Sequence, residues 1–381
     1  MIDDLATARE KTKTLAATRS VRGDILSVIV STSRLDDWRQ SVPVYVHSEF
    51  NRIVHELELG EEEKRRLQSG LGHVLDLLKY DVTPRTQGLA LFTDGSPGLD
   101  RRIELPLRLA NCVTVEPWPY VRPVAHALSL LEPFVLAEVS RDESSLYLVN
   151  EWGVAREDDL AGPWLRTSDR ETGEVSIKKY YAAARRETLV DHHYKEVGTA
   201  LSKLLDASGA RRTVLCAQHD IGTALRRIIP STAADSVVAT MPLDAASTVA
   251  QRVASARKAV EQARQDQIVA LVVRVEEGMG PGGHGVGGFE RVRDSLDEGR
   301  LHTLLVERAY RPPGWLCRDC SWVSLEPVQP CPRCGGDMTR TVDAVGELVR
   351  LAILQHAQLE VGEQVEELEE LGSVAGLLRY A

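Results

Sequence analysis

The chain has 381 residues, 43% of them apolar and 27% charged, so it has enough apolar material for two or three folded domains. Its formal net charge of −10 argues against a globally basic nucleic-acid coat but leaves room for a local basic surface. No apolar stretch approaches the ~20 residues of a membrane helix, and the N-terminus lacks the apolar centre of a secretory signal. We therefore expect a cytoplasmic protein that is neither inserted into membranes nor exported.

The first 130 residues alternate between predicted strands and helices. Alternation of this kind is typical of a compact α/β domain, which we place at residues 1–130. The predicted elements are a buried strand at Ile25–Val30, helices at Val44–Glu58 and Glu61–Tyr80, and a hairpin of Gly88–Thr93 with Arg102–Pro106.

Residues 131–277 form a second predicted α/β domain. A helix is expected from Ala182 onward, since its apolar positions recur at alternating spacings of 4 and 3. Asp244–Glu277 fits either one long helix or a helix followed by a strand at Ile268–Val273. The other predicted elements are strands at Phe134–Val139, Leu146–Val149, Thr213–Ala217 and Val237–Thr240, and a helix at Ile221–Ile229.

The third predicted domain covers residues 278–381 and begins with a glycine-rich run, Gly278–Gly288. Glycine disfavours regular structure, so we expect a hinge or linker there. With this domain the chain is predicted to be an α/β protein of three mixed α/β domains. Its predicted elements are a helix at Phe289–Leu296, a strand at Leu301–Glu307, a helix at Asp343–Gln358 and a closing segment at Leu371–Tyr380.

Four of the six cysteines form two C-x-x-C pairs separated by ten residues. Each pair bends the chain so that two thiolates face one ion, and two pairs complete a tetrahedron. Four thiolates leave no position for a catalytic water, so the spacing predicts a structural Zn²⁺ in a zinc ribbon over residues 314–338. The predicted ligands are Cys317, Cys320, Cys331 and Cys334.

Residues 166–186 form a polar segment whose second half carries four basic residues, two tyrosines and no acid. Basic side chains bind RNA phosphates and tyrosine rings stack on bases, so this composition favours a loop that faces RNA. A solvated loop that leads into an amphipathic helix explains the same pattern and stays open. The candidate RNA-binding residues are Arg166, Arg170, Lys178, Lys179, Tyr180, Arg185 and Arg186.

Other chemistry-bearing residues are more isolated. Asp191-His192-His193 resembles a metal triplet, but neighbours on a helix point about 100° apart and do not converge on one ion. Cys112 and Cys216 stand alone, and buried thiols are usually inert. Neither a phosphate-binding P-loop nor a serine-nucleophile elbow is present in the sequence. The acidic run from Glu360 to Glu370 is typical of a solvated face.

Several segments resemble the archaeal and eukaryotic class-I release factors and Pelota. Leu371–Tyr380, reading LGSVAGLLRY, is similar to their closing "GGI-A-LLRY" signature, and Gly285–Val306 is similar to the entry into their third domain. Arg185–Leu205 resembles the helix after the catalytic loop of the middle domain. Leu91–Thr93 and Leu105-Pro106 resemble the divergent bacterial, Balon-like branch of this superfamily. A zinc-binding insertion in the third domain is similar to archaeal members.

The resemblance implies a monomeric factor that binds the A site of the ribosome. By it, the N-terminal domain approaches the decoding centre and the middle-domain loop reaches towards the peptidyl-transferase centre. The C-terminal domain would contact the ribosomal stalk base or a translational GTPase such as EF-Tu.

The departures from the family pattern bear on mechanism. The loop Ser168–Ser176 has no Gly-Gly-Gln, and the Asn-Ile-Lys-Ser codon-reading motif is absent. The pair Gly282-Gly283 is followed by His284 and lies in the predicted hinge. We therefore assign no catalytic residue and expect hibernation or rescue of ribosomes rather than hydrolysis. Two alternatives stay open: a divergent peptidyl-tRNA hydrolase or nuclease using Glu171 or Glu174, and a zinc-ribbon protein-interaction module.

Overall fold

The computed structural model describes residues 3–380 except 21–22, 34–36, 58, 81, 84, 97–98, 142, 151–152, 162–176 and 245; for 161 and 177–187 it describes the backbone alone. The protein is an α/β protein with four sheets. It divides into two compact units. The terminal unit joins Met1–Leu130 to Gln267–Ala381, and the middle unit is Leu131–Asp266. Within the described residues, no helix is both long and apolar enough to cross a membrane.

The N-terminal segment of the terminal unit, residues 3–130, is a four-stranded antiparallel sheet of order β3-β2-β1-β4. Leu26 and Val28 of its strand β1 pack with Phe50 and Leu67 from two neighbouring helices, and all four side chains are buried. The elements are α1 Leu5–Ala17, β1 Ile25–Ser31, α2 Trp38–Glu56, α3 Glu61–Tyr80, β2 Gly88–Thr93, β3 Asp100–Leu105, β4 Cys112–Glu116 and α4 Arg122–Leu130.

Helix α2 begins earlier than its sequence predicts. The expected start was Val44, directly after Pro43, but the helix starts at Trp38 and holds Pro43 inside it. Proline has no N–H to donate and therefore removes one helical hydrogen bond. Trp38 and Val42 are both buried in the core, and their burial offsets that loss.

The C-terminal segment of the terminal unit, residues 267–380, contains two sheets. The larger has the order β10-β16-β11-β15, with β11 and β15 parallel and the other pairs antiparallel. The smaller has the order β13-β12-β14. The elements are β10 Gly285–Gly287, α9 Phe289–Asp297, β11 Leu301–Glu307, β12 Gly314–Cys317, β13 Val323–Ser324, β14 Met338–Thr341, α10 Ala344–Leu354, β15 Gln358–Gly362, α11 Glu366–Glu370 and β16 Val374–Leu378.

Two expectations for this segment need correction. The glycine run ends in strand β10, where a Cβ on Gly285 would lie 2.0 Å from the carbonyl oxygen of Val275. Glycine here allows a close backbone approach as well as a turn. The helix expected to reach Gln358 ends at Leu354, because His356 takes a positive φ of 56° and the chain then enters β15.

The middle unit has a five-stranded sheet of order β7-β6-β5-β8-β9. Strands β5, β8 and β9 run parallel, whereas β6 and β7 add antiparallel strands beyond β5. The elements are β5 Phe134–Val139, β6 Glu143–Asn150, β7 Gly153–Ala161, α5 Ile177–Ser208, β8 Arg212–Cys216, α6 His219–Ile228, α7 Ser231–Ser236, β9 Val237–Met241 and α8 Val249–Glu277, whose residues from Gln267 onward belong to the terminal unit.

Helix α8 settles the choice that the sequence left open for residues 244–277. The segment Ile268–Val273 continues the helix and is not a strand. Ile268, Val272 and Val275 are fully buried and follow the helical spacings of 4 and 3, which place them on one face.

Candidate metal centre

The two C-x-x-C pairs bring their four sulfur atoms together, all within 4.8 Å of one another. The Cys317 and Cys334 sulfurs are 3.5 Å apart, and those of Cys320 and Cys331 are 3.6 Å apart. These distances are too long for disulfides. They suit a tetrahedral thiolate site, in which Zn–S bonds of ~2.3 Å place the sulfurs ~3.8 Å apart. The four cysteines can therefore hold one metal ion.

The backbone of the two pairs is arranged for such a site. The Asp319 N–H donates to the Cys317 sulfur at 3.3 Å, and the Gly335 N–H donates to the Cys331 carbonyl at 2.8 Å. Gly335 has a positive φ of 75°, and a Cβ on Gly336 would lie 2.3 Å from a carboxylate oxygen of Asp319. The glycines thus let the second pair turn tightly and pack against the first.

The cysteine site is partly shielded from water. Cys317 and Cys331 are buried, Cys320 is half-buried and Cys334 is exposed. The surrounding apolar side chains form a small cluster of their own, which is separate from the main core of the C-terminal segment. Its members beside the cysteines are Trp315, Trp322, Val328 and Met338. Four thiolates fill a tetrahedron completely, so this centre suits a structural ion.

The first C-x-x-C pair also carries charged residues that reach the N-terminal segment. The two terminal nitrogens of the Arg318 guanidinium, Nη1 and Nη2, donate to the two carboxylate oxygens of Asp24 at 2.6 and 3.1 Å. The Asp24 side chain is 1% exposed. Arg19 donates to the Arg318 carbonyl at 2.8 Å and to the Asp319 carboxylate at 3.1 Å. Burial raises the pKa of Asp24, and Arg318 opposes that shift.

Arg350 of helix α10 joins the same region from the other side. It donates to the Ala16 carbonyl at the end of α1 at 2.6 Å, and to the Ser321 hydroxyl at 2.7 Å. Its charge is balanced by the buried Glu347, at 2.6 and 2.8 Å. The guanidinium also lies 4.1 Å from the centre of the Trp118 ring. Side chains from both segments thus meet around the first cysteine pair.

A second buried polar cluster links helix α4 to helix α10. Arg122 donates to both carboxylate oxygens of Asp343, at 2.7 and 2.8 Å, and the Tyr120 hydroxyl donates to Asp343 at 2.6 Å. Asp343 also caps α10 by accepting from the Gly346 N–H at 3.1 Å. A Cβ on Gly346 would lie 2.7 Å from the Tyr120 ring, so glycine admits the tyrosine there.

Glu116 of β4 provides a pH-dependent contact between the two segments. It is buried and accepts from the Thr341 hydroxyl at 2.7 Å, and burial raises its pKa to about 7. The folded protein therefore binds this proton more tightly than the unfolded chain, whose ordinary pKa is 4.5. The contribution of Glu116 to stability falls as pH rises from about 4.5 to 7.

Glu116→Gln is expected to stabilise the protein at pH 8 by roughly 3 kcal/mol and to change little at pH 4.5. The amide keeps the acceptor for Thr341 and removes a charge that is costly to bury. Urea unfolding at both pH values measures the difference. Glu290→Gln, at an exposed position of the same unit, is the control. An equal effect of Glu116→Gln at both pH values would contradict the assignment.

The candidate RNA-binding residues are only partly described. Arg166 and Arg170 lie outside the described residues, as do Glu171 and Glu174. The backbone of Lys178, Lys179, Tyr180, Arg185 and Arg186 forms the first turns of helix α5. From Ile177 onward the polar segment is therefore helical.

The remaining residues noted in the sequence lie elsewhere. Asp191 and His192 are exposed on helix α5, whereas His193 is buried, with its Nε2 2.9 Å from the Ser144 hydroxyl. Burial raises the pKa of the Cys112 thiol to about 12 and that of Cys216 to about 11. Neither belongs to the four-cysteine cluster.

Sequence reasoning did not find the arginines and acids that surround the cysteines. Arg318 and Asp319 lie between the predicted ligands Cys317 and Cys320, and this position is the one sequence feature that could have indicated their role. Their partners Asp24 and Arg19 are about 300 residues away in sequence, which no local pattern reports.

Residues 119–266 match the family described as "Bacterial archaeo-eukaryotic release factor family 10". None of the curated proteins matches.

Three solved structures illustrate the similarity. An archaeal translation termination factor, aRF1, is 16% identical over 99% of this chain and 97% of its own, with a TM-score of 0.26. Archaeoglobus fulgidus Pelota is 12% identical over 100% and 94%, with a TM-score of 0.34. S. cerevisiae Dom34, a translation termination-like factor, is 11% identical over 74% of each chain, with a TM-score of 0.41. Residues 119–266 of this chain are thus similar to a bacterial archaeo-eukaryotic release factor family.

Proposed function

We propose that this protein is a translation factor that binds the A site of the ribosome and occupies it without hydrolysing peptidyl-tRNA. The observation that carries the proposal is the match of residues 119–266 to a bacterial release factor family. That match covers the segment 166–186, in which the basic and aromatic residues are concentrated.

The sequence of the middle-unit loop argues for occlusion rather than hydrolysis. Ser168–Ser176 reads SDRETGEVS and contains no Gly-Gly-Gln. A factor of this type that cannot position a water molecule for attack on the ester of peptidyl-tRNA can still block the A site. Ribosome hibernation is the role we favour, with Pelota-like rescue as the second form of the same binding.

The RNA contacts are proposed to lie at the start of helix α5. Seven residues make about two helical turns, so Lys178 shares a face with Arg185, and Lys179 shares a face with Arg186. Pairs of cations about 10 Å apart along a helix suit successive phosphates of an RNA strand. Arg166, Arg170 and Tyr180 are proposed to extend this surface.

Changing Lys178 and Lys179 together to alanine is expected to weaken co-sedimentation with vacant 70S ribosomes. Each lost phosphate contact reduces the magnitude of the slope of log K against log salt by about 0.9. The slope for the double variant should therefore be smaller in magnitude by roughly 1 to 2. The assay compares ribosome pellets at low and moderate salt, with and without EF-Tu, which tests the proposed GTPase partner.

The matched control changes Lys195 and Lys203 to alanine. Both are exposed on the same helix, beyond the proposed RNA surface. Equal losses of ribosome binding in the two double variants would mean that binding depends on net charge and not on the position of the lysines. Failure of the unaltered protein to pellet at any salt would contradict ribosome binding, and the zinc-ribbon interaction module would then become the better explanation.

We also propose that the ion held by the four cysteines is zinc and that its role is structural. The donor set and the 3.5–3.6 Å sulfur distances support a tetrahedral thiolate site.

A further inference from the structure

The first C-x-x-C pair is one of the places at which charged side chains connect the N-terminal and C-terminal segments of the terminal unit, the Arg122–Asp343 pair being another. Arg318 and Asp319 stand between Cys317 and Cys320, and both contact residues before position 25. We propose that the metal ion controls this connection: with the ion bound, helix α1 and residues 19–24 are held against the C-terminal segment, and without it these contacts are released while the Arg122–Asp343 pair remains. The inference rests on the proposed zinc site.

The contacts are specific to the first pair. Arg318 forms a two-pronged ion pair with Asp24, at 2.6 and 3.1 Å, and Arg19 returns hydrogen bonds to the Arg318 carbonyl and the Asp319 carboxylate. Arg333 of the second pair contacts Asp297 instead, at 2.6 Å, within the C-terminal segment. Only one of these two arginines therefore joins the segments.

The position of the first cysteine pair also affects where the Arg350 side chain lies. Ser321 follows Cys320 directly, takes a positive φ of 65°, and accepts from Arg350 at 2.7 Å. The same guanidinium donates to the carbonyl of Ala16, in the last turn of helix α1. A cation at the last carbonyls of a helix stabilises that end. The hydroxyl thus helps to fix the arginine that holds α1.

Loss of the ion would loosen this arrangement because the ion's bonds to sulfur join the two cysteine pairs. Without a shared cation the four sulfurs, which lie within 4.8 Å of one another, have no bond that keeps the first pair fixed against the second. A relaxed first pair would move Arg318 away from Asp24, whose carboxylate is almost completely buried. A buried carboxylate that loses its partner strongly disfavours the closed arrangement.

Amide hydrogen exchange of the full-length protein tests the proposal, with zinc content measured on the same samples. Removing zinc with a chelator at neutral pH should increase exchange in α1 and in residues 19–33 by at least about tenfold. Arg318→Ala should give a similar increase while the protein keeps its zinc, because the cysteines are unchanged. Arg333→Ala is the matched control, and it should leave exchange in α1 as it is.

The outcomes separate the two proposals. Zinc present in the protein, with α1 equally protected before and after chelation, would overturn the connection but leave the metal centre intact. Zinc absent from the purified protein would overturn both. If chelation unfolds the whole terminal unit, Arg318→Ala decides: increased exchange confined to the N-terminal segment supports the proposal, and unchanged exchange overturns it.

Discussion

Replacing Cys331 with serine is expected to remove most of the zinc that we propose the purified protein carries, about one ion per chain. A hydroxyl is a far poorer zinc ligand than a thiolate, and Cys331 is buried with its sulfur 3.6 Å from that of Cys320. Losing one of four ligands should weaken metal affinity by more than about 100-fold, since changes outside the ligand set already cost 10–100-fold. Metal analysis of the dialysed protein provides the measurement.

Two further measurements make this experiment more specific. Cys112→Ser and Cys216→Ser remove isolated thiols outside the cluster and should keep the full zinc content. Cobalt added to the metal-free protein should give the visible absorption of a tetrahedral thiolate site, and the Cys331→Ser variant should not. Full zinc content in Cys331→Ser would show that the four cysteines do not act together.

The metal is also expected to contribute to folding. The apolar cluster around the cysteines is small, and a structural zinc ion supplies stability that such a cluster lacks. Zinc-free protein should therefore unfold at a lower temperature, and added zinc should restore the original value. Acid should release the ion as protons compete for the thiolates.

Arg122→Met is expected to destabilise the terminal unit by about 3–5 kcal/mol. Arg122 and Asp343 are 5% and 2% exposed, and the substitution leaves the Asp343 carboxylate buried without its cation. Methionine retains much of the side-chain volume, so the effect reports on the charge rather than on a cavity. Urea unfolding followed by tryptophan fluorescence provides the measurement.

Arg308→Ala is the control for this prediction. Arg308 pairs with Glu363 at 2.7 Å, but the two side chains are 47% and 55% exposed, and such pairs contribute about 0–1 kcal/mol. The double variant of Arg122→Met with Asp343→Asn should regain part of the lost stability, because it leaves no buried charge. A loss in Arg122→Met no larger than that in Arg308→Ala would contradict a buried, mutually dependent pair.

The sequence alone determined the features that depend on near neighbours. The cluster of four cysteines follows from the C-x-x-C spacing, because two residues between thiols fix the geometry of each turn. Helix α5 and strands β5 and β6 follow from apolar periodicity. The resemblance to the release factors also came from local signatures, and residues 119–266 match a bacterial family of such factors.

Tertiary structure decided the features that depend on distant partners. The sequence left Ile268–Val273 between helix and strand, and burial of one helical face against Leu305 and Leu368 selected the helix. It also gave no sign that Arg318 would meet Asp24, 294 residues away, or that Arg122 would meet Asp343, 221 residues away. A charged residue looks the same in sequence whether it is solvated or buried. Only the folded chain supplies the counter-charge and the exclusion of water that turn these arginines into contacts between the two segments.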